Sequence, residues 1–271
     1  MDVTELTAMA RRIRRRDLMV VYAAGAGHIG GEMSVADILT VLYFQRLRVN
    51  PDQPRDPNRD RLVLSKGHTA CILYVILAER GFFPQDEVST FLKPLSRLNG
   101  HPNCTKVPGV ETNTGPLGHG LPVAVGMAKA AQMDGADWHT FVVTGDGEMQ
   151  EGSNWEAIMA AAQFGLDNLT LVIDHNRFQQ GAALADTINM APLAQRLAAF
   201  GWAVEEVDGH DIAALVAAFA PNAAVVGKPK CIIAHTNKGQ GISFMQDRVD
   251  WHHKVPNAEQ YQLALSELEP L

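Results

Sequence analysis

The sequence predicts an α/β fold, a doubly wound, mostly parallel sheet with helices on both faces. Three observations predict it. Short β-branched, apolar runs alternate with stretches at helical spacing from residue 61 onward, the pattern of βαβ units joined by right-handed crossovers. Two of those runs end in polar turns, Gly145-Asp146-Gly147 and Asp174-His175-Asn176, about 30 residues apart, the length of one such unit. No internal repeat, low-complexity tract or long linker interrupts the 271 residues, so residues 1–271 read as one domain with an irregular tail from about 238.

Leu6, Met9, Ile13 and Val20 recur at near-helical spacing and predict a helix over 4–24, with Arg11, Arg12, Arg14, Arg15 and Arg16 on its other side. The basic stretch followed by Leu18 to Ala24 also has the outline of a secretion leader. The glycines that follow are a poor cleavage context, however, and no apolar run is long enough to span a membrane. Gly25 to Gly31 reads as a flexible loop, and Ser34 to Gln45 as a helix with Ser34 at its N-cap. Residues 50–61, rich in Pro and Asp, predict a surface loop. A strand over 61–65 leads through Gly67-His68 into a helix ending near Arg80, and a second loop region spans 94–115. Residues 118–133 are small and helical, and 140–144 form a buried strand. Ser153-Asn154-Trp155-Glu156 has the form of a capping box starting a helix through Phe164. Strand 168–174, helix 191–199, strand 202–207, helix 211–219 and strand 230–235 follow, with a short helix over 258–268.

Apolar residues make up 46% and charged residues 20%, which suits a soluble globular enzyme. The net charge of -7 argues against a nucleic-acid partner. An anionic ligand remains compatible with it, through a metal, backbone N–H groups and histidines. Cys71, Cys104 and Cys231 lie far apart without a C-x-x-C pair. Neither a zinc site nor a disulfide framework is suggested, and a reducing, cytoplasmic setting is expected.

If strands 140–144 and 168–174 are neighbours, both polar turns lie at the carboxyl edge, where open α/β sheets bind ligands. Asp146 offers a hard anionic oxygen, Asn176 a neutral carbonyl oxygen, and the Phe178 backbone carbonyl a third. Such a set suits Mg²⁺, which favours oxygen donors and keeps positions open for phosphate oxygens. The glycines beside Asp146 allow close approach of a diphosphate, and the helix starting near Ser153 adds its N-terminal dipole. Either turn alone also reads as an ordinary Asp-Gly or Asx turn; their joint spacing favours the shared site. Gly145, Gly147 and Gly152 run G-x-G-x-x-x-x-G, which is not the dinucleotide fingerprint, and no Walker A sequence occurs.

Gly145-Asp146-Gly147 followed by Asn176 resembles the thiamine diphosphate motif, with His175 where the first of two asparagines usually stands. Gly145 to Gly152, Gly27-His28-Ile29-Gly30-Gly31, Ser65-Lys66-Gly67-His68, Gly100-His101-Pro102, Gly115 to Gly120 and Trp251-His252 are similar, in order, to segments of the transketolase family. This resemblance covers nearly the whole chain and implies the thiamine diphosphate-binding fold, with the chain as the N-terminal subunit of a split transketolase. By resemblance, Asp146, Asn176 and the Phe178 carbonyl hold Mg²⁺, with Ca²⁺ or Mn²⁺ able to replace it. His68, His252 and the Gly147 backbone contact the diphosphate, and Gly115 and Leu117 line the thiazole and aminopyrimidine. His28, His68, His101 and His252 surround the substrate's reacting carbons. Glu151 resembles a subunit-interface residue that couples two active sites. Ile29 stands where the family often has Pro, and His253 where it often has Gly, which leaves the sugar open.

The implied reaction transfers a two-carbon ketol unit from a ketose phosphate to an aldose phosphate, with imidazoles moving the hydroxyl protons. Xylulose 5-phosphate is the default donor, and branched or sulfonated sugars are the alternatives. Because the sequence ends at Leu271, a partner subunit carrying the pyrimidine-binding domain is expected, in an α2β2 heterotetramer free of membrane or nucleic acid. The competing readings are the α subunit of a 2-oxo acid dehydrogenase and a non-catalytic structural or regulatory subunit.

Overall fold

The computed structural model describes residues 1–221 and 226–269. Its elements, in chain order, are α1 (Val3–Ala24), α2 (Ile29–Val41), β1 (Arg61–Leu64), α3 (Ala70–Glu79), α4 (Gly120–Asp134), β2 (Thr140–Gly145), α5 (Gly152–Gln163), β3 (Leu169–His175), β4 (Phe178–Gln179), β5 (Ala182–Ala183), α6 (Leu193–Ala199), β6 (Ala203–Asp208), α7 (Ile212–Phe219), β7 (Lys230–His235) and α8 (Ala258–Glu267). Five strands form one sheet in the order β1-β2-β3-β7-β6, and every pairing in it is parallel. The α/β class with a mostly parallel sheet is therefore the observed one. β4 and β5 make a separate antiparallel hairpin directly after β3.

Alternation along the strands divides the core in two. Phe141, Val143, Val172, Ile232 and Ala234 pack with α1, α2, α3, α7 and α8 on one face. Val142, Leu171, Ile173, Cys231 and Ile233 pack with α4, α5 and α6 on the other. Period-2 side chains buried on both sides produce the near-continuous apolar runs seen in the sequence. Each such valine or isoleucine contributes roughly 1.5–3 kcal/mol by leaving water. None of the described helices is long and apolar enough to cross a membrane.

Two local expectations are corrected. The segment Gly25 to Gly31 is only partly loop, because α2 begins at Ile29 with His28 at its N-cap position. Gly30 and Gly31 belong to the helix's first turn for reasons of space: a Cβ on Gly30 would lie 2.5 Å from the Trp251 carbonyl oxygen. Ser34 consequently sits inside the helix rather than at its cap, and its hydroxyl donates to the Asp174 carboxylate at 2.7 Å. The second correction concerns Ser153. α5 starts at Gly152, and Glu151 occupies the N-cap position without a side-chain cap. Ser153 Oγ instead donates to the Gly118 carbonyl at 2.7 Å, joining the first turn of α5 to the loop before α4. By contrast, Asp2 at α1, Asp211 at α7 and Asn257 at α8 do cap their helices with side-chain oxygens.

Candidate active site

The register of β2 on β3 sets Gly145 opposite Asp174, so the two polar turns leave the sheet side by side at its carboxyl edge. The Asp146 N–H donates back to the Asp174 carbonyl at 3.3 Å. Asp146 is buried, its Oδ1 accepting from Gly147 N at 2.8 Å and its Oδ2 from Arg177 N at 2.5 Å. His175 Nδ1 lies 3.1 Å from that Oδ2, outside hydrogen-bonding geometry. Arg177 takes φ +70, the left-handed conformation that turns the chain back towards Asp146. Asn176, also buried, accepts from the Phe178 N–H through Oδ1 at 3.1 Å.

Behind this rim lies a fully buried carboxylate that the sequence marks only as a strand end. Asp174 accepts from Lys66 Nζ, from Thr236 Oγ1 and from Ser34 Oγ. Burial pushes this carboxyl up, but the Lys66 ammonium and the two hydroxyls outweigh burial and hold it below the ordinary carboxylate range. The carboxylate therefore stays ionised, and its partners tie β3 to α2 and to the loop after β1.

One cavity of about 430 Å³ opens over both turns. It brings together all the candidate residues of the sequence: His28, His68, His101 and His252; Gly115, Leu117, Asp146, Gly147, Glu151 and Asn176; and Phe178. Three of the histidines cluster, with ring centroids 5.1 Å apart for His28–His68, 5.5 Å for His28–His252 and 5.4 Å for His68–His252. His101 lines the cavity from the loop facing Gly115, where a Cβ would lie 2.9 Å from its ring and where φ is +141. Burial, then the neighbouring His253, His101, Lys238 and Lys66, push His28 down to about 4. Burial and Lys238 push His252 down to about 3, and burial with Lys66 lowers His68 well below the usual imidazole range. At neutral pH these imidazoles are uncharged, able to accept a proton from a hydroxyl and return it.

Three contributors are not evident as site residues in the sequence. Lys66 and Lys238 both line the cavity. Lys238 Nζ contacts His252 Nδ1 at 2.8 Å, and burial followed by Lys66 brings it down to about 8. Glu148 is buried beneath the loops, accepting from Ser65 Oγ, from Gly118 N at 2.9 Å and from Gly145 N at 3.2 Å. Lysines and glutamates carry no distinguishing signal on their own, although Lys66 and Glu148 do stand inside the family-like segments Ser65 to His68 and Gly145 to Gly152. His253, a departure from the family pattern, places its ring centroid 4.7 Å from that of His28.

The donor set suits a divalent metal bridging to a diphosphate. Asp146 and Asn176 offer hard oxygens at one rim, as Mg²⁺ prefers. Lys238 supplies cationic charge beside them for an anion, Lys66 being already paired with Asp174, while Gly145 leaves open space where a Cβ would point. A parallel-sheet rim with these groups suits an α/β protein that binds an anionic ligand at the carboxyl edge of its sheet.

Comparison narrows the class. Residues 6–265 match the family described as transketolase, thiamine diphosphate binding domain. Two relatives, both named as apulose-4-phosphate transketolase subunits, are each 45% identical: that of Phocaeicola vulgatus covers 99% of this chain and 95% of its own. That of Actinobacillus succinogenes covers 98% and 96%. A 6-deoxy-6-sulfo-D-fructose transketolase subunit of a Clostridium species is 37% identical over 98% of this chain and 96% of its own. Among solved structures, a Leishmania mexicana transketolase superposes with TM-score 0.91 at 31% identity, covering 99% of this chain and 41% of that one. A Pichia stipitis transketolase variant gives 0.92 at 30%, covering 97% and 40%. This chain thus spans about two fifths of the solved transketolases it matches. It belongs to the transketolase family, a family of transketolase-type transferases, as a thiamine diphosphate-binding domain.

Proposed function

We propose that this chain is the cofactor-binding subunit of a split transketolase, moving a two-carbon ketol unit from a ketose phosphate to an aldose phosphate. The observation that carries the reading is the neutral imidazole cluster set directly beside the Asp146–Asn176 rim in one cavity. Asp146, Asn176 and the Phe178 carbonyl would hold Mg²⁺, while His68, His252 and the Gly147 backbone would meet the diphosphate, helped by Lys238. Gly115 and Leu117 line the rings. When bound, thiamine diphosphate supplies the electron sink needed to break a carbon–carbon bond beside a carbonyl. The protein's own part is to orient the sugar and move protons. His28, His68, His101 and His252 take up and return protons at substrate hydroxyls and stabilise developing oxyanions, each contributing roughly 10²–10⁴-fold.

In this reading the whole chain works as one diphosphate-binding domain, with the tail from about 238 supplying Lys238 and His252. Three similar relatives are named as subunits, which supports a partner polypeptide; we propose that it bears the pyrimidine-binding domain and shares the active sites in an α2β2 cytoplasmic assembly. Their names also favour a modified sugar, and the two relatives at 45% identity make a branched ketose phosphate of the apulose 4-phosphate class the first donor to assay. Turnover is measured with the chain alone and with its candidate partner, using apulose 4-phosphate and xylulose 5-phosphate. Ketol transfer only in the mixture, faster with the branched donor, is expected. Full transfer by the chain alone contradicts the split-enzyme reading, and preference for xylulose 5-phosphate contradicts the sugar assignment alone.

A further inference from the structure

Away from the cavity, three groups on three helices meet in the core. Asp17 of α1, Glu32 in the first turn of α2 and Cys71 in the first turn of α3 are all buried, at 0%, 0% and 1% exposure. Their candidate donor atoms all lie within 4.8 Å of one another. Both oxygens of Asp17 and both oxygens of Glu32 lack a hydrogen-bond partner. No described lysine, arginine or histidine nitrogen lies within ion-pair distance of either carboxylate: Arg14, the guanidinium on the same helix, is committed to Asp37. Two acids and a thiol in an apolar core, with no described cation beside them, are a candidate metal site, since ionising a buried carboxylate without a partner charge costs several kcal/mol.

We propose that Asp17, Glu32 and Cys71 form a second metal site, a buried three-residue site for a borderline divalent cation of the Zn²⁺ class. One sulfur with two carboxylate oxygens matches the ligand preference of Zn²⁺ and not the all-oxygen preference of Mg²⁺. Without a cation, burial favours the protonated forms: it pushes Asp17 up to about 7 and lifts Glu32 and Cys71 well above their ordinary values. A cation displaces those protons and converts three destabilised acids into ligands. The site also has a structural purpose. Glu32 lies four residues after His28, and Cys71 three after His68, so a metal here pins the starts of α2 and α3 and fixes the spacing of the two imidazoles. Sequence spacing could not disclose it, because the three ligands stand at positions 17, 32 and 71 with no local motif.

The test is metal analysis of the full chain, purified from zinc-containing medium and dialysed against Mg²⁺ buffer. About one transition-metal ion per chain is expected to remain. Exchange with Co²⁺ should produce a thiolate-to-cobalt charge-transfer band. Cys71→Ser should abolish that band and cut retained metal to below about a tenth. Asp17→Asn and Glu32→Gln should lower it similarly, with circular dichroism used to exclude chains that fail to fold. Asp146→Ala should leave this metal in place, which separates the site from the diphosphate rim. A folded wild-type chain that retains no transition metal and shows no cobalt band overturns the proposal, leaving the cluster to protons. Retention unaffected by Cys71→Ser, or lost with Asp146→Ala, overturns it equally.

Discussion

His253 shows how much one departure from a family pattern can alter a site. Its ring lies 4.7 Å from that of His28, and after burial it is the first neighbour among the causes that depress His28. It is exposed beside the histidine cluster, and in the proposed function it flanks the sugar. His253→Gly should raise the KM for the ketose by about tenfold while leaving thiamine diphosphate affinity unchanged, the split expected for a group that meets substrate only. Equal loss in both constants would place it in cofactor binding instead. Lys238 carries a pH signature. With its ammonium brought down to about 8, an arriving diphosphate favours the protonated form and raises that value. Cofactor affinity should therefore hold below pH 8 and weaken as pH climbs through the raised value. Calorimetry in buffers of differing ionisation enthalpy should detect proton uptake on binding near pH 8–9, and Lys238→Met should abolish it.

The helices that border the cavity, α2, α4 and α5, are positioned by a few buried polar stitches rather than by side-chain caps. Glu148 accepts from Ser65, Gly118 and Gly145, so a single carboxylate sets the loops after β1, before α4 and after β2. Glu148→Ala leaves buried donors unpaired and should cost about 2–4 kcal/mol of stability by denaturant titration. Loss below about 0.5 kcal/mol would mean that water replaces the carboxylate without strain. Strands were legible in the sequence because both faces of β2, β3 and β7 are buried, so β-branched runs had no polar interruption. Helix starts were less so. Ser34 and Ser153 carry the right side chain for a cap, but tertiary partners, Asp174 and the Gly118 carbonyl, claim their hydroxyls. The glycines at 30 and 31 suggested a loop, whereas contact with Trp251 and Thr69 explains them. The hairpin of β4 and β5 is too short for periodicity to reveal.

At the scale of the molecule, the parallel sheet turns a sequence spacing into a site. Asp146 and Asn176 are far apart in the chain, and the pairing of β2 with β3 puts them at one edge, under the imidazoles carried by α2, the loop after β1 and the C-terminal tail. Motif order made the members of the site legible. The lysines, Glu148 and the Asp17–Glu32–Cys71 cluster were not, because each acts through neighbours distant in sequence. The central claim is that Asp146 and Asn176 jointly grip a cation that bridges to a diphosphate. It is tested most directly by titrating thiamine diphosphate into the chain, with its candidate partner present, in Mg²⁺ buffer and following heat. Wild-type chain should bind, removal of Mg²⁺ should abolish binding, and Asp146→Ala and Asn176→Ala should each weaken it by at least about 100-fold, given that even outer partners of metal ligands cost 10–100-fold. Undiminished, Mg²⁺-independent affinity in the Asp146→Ala chain would contradict the account.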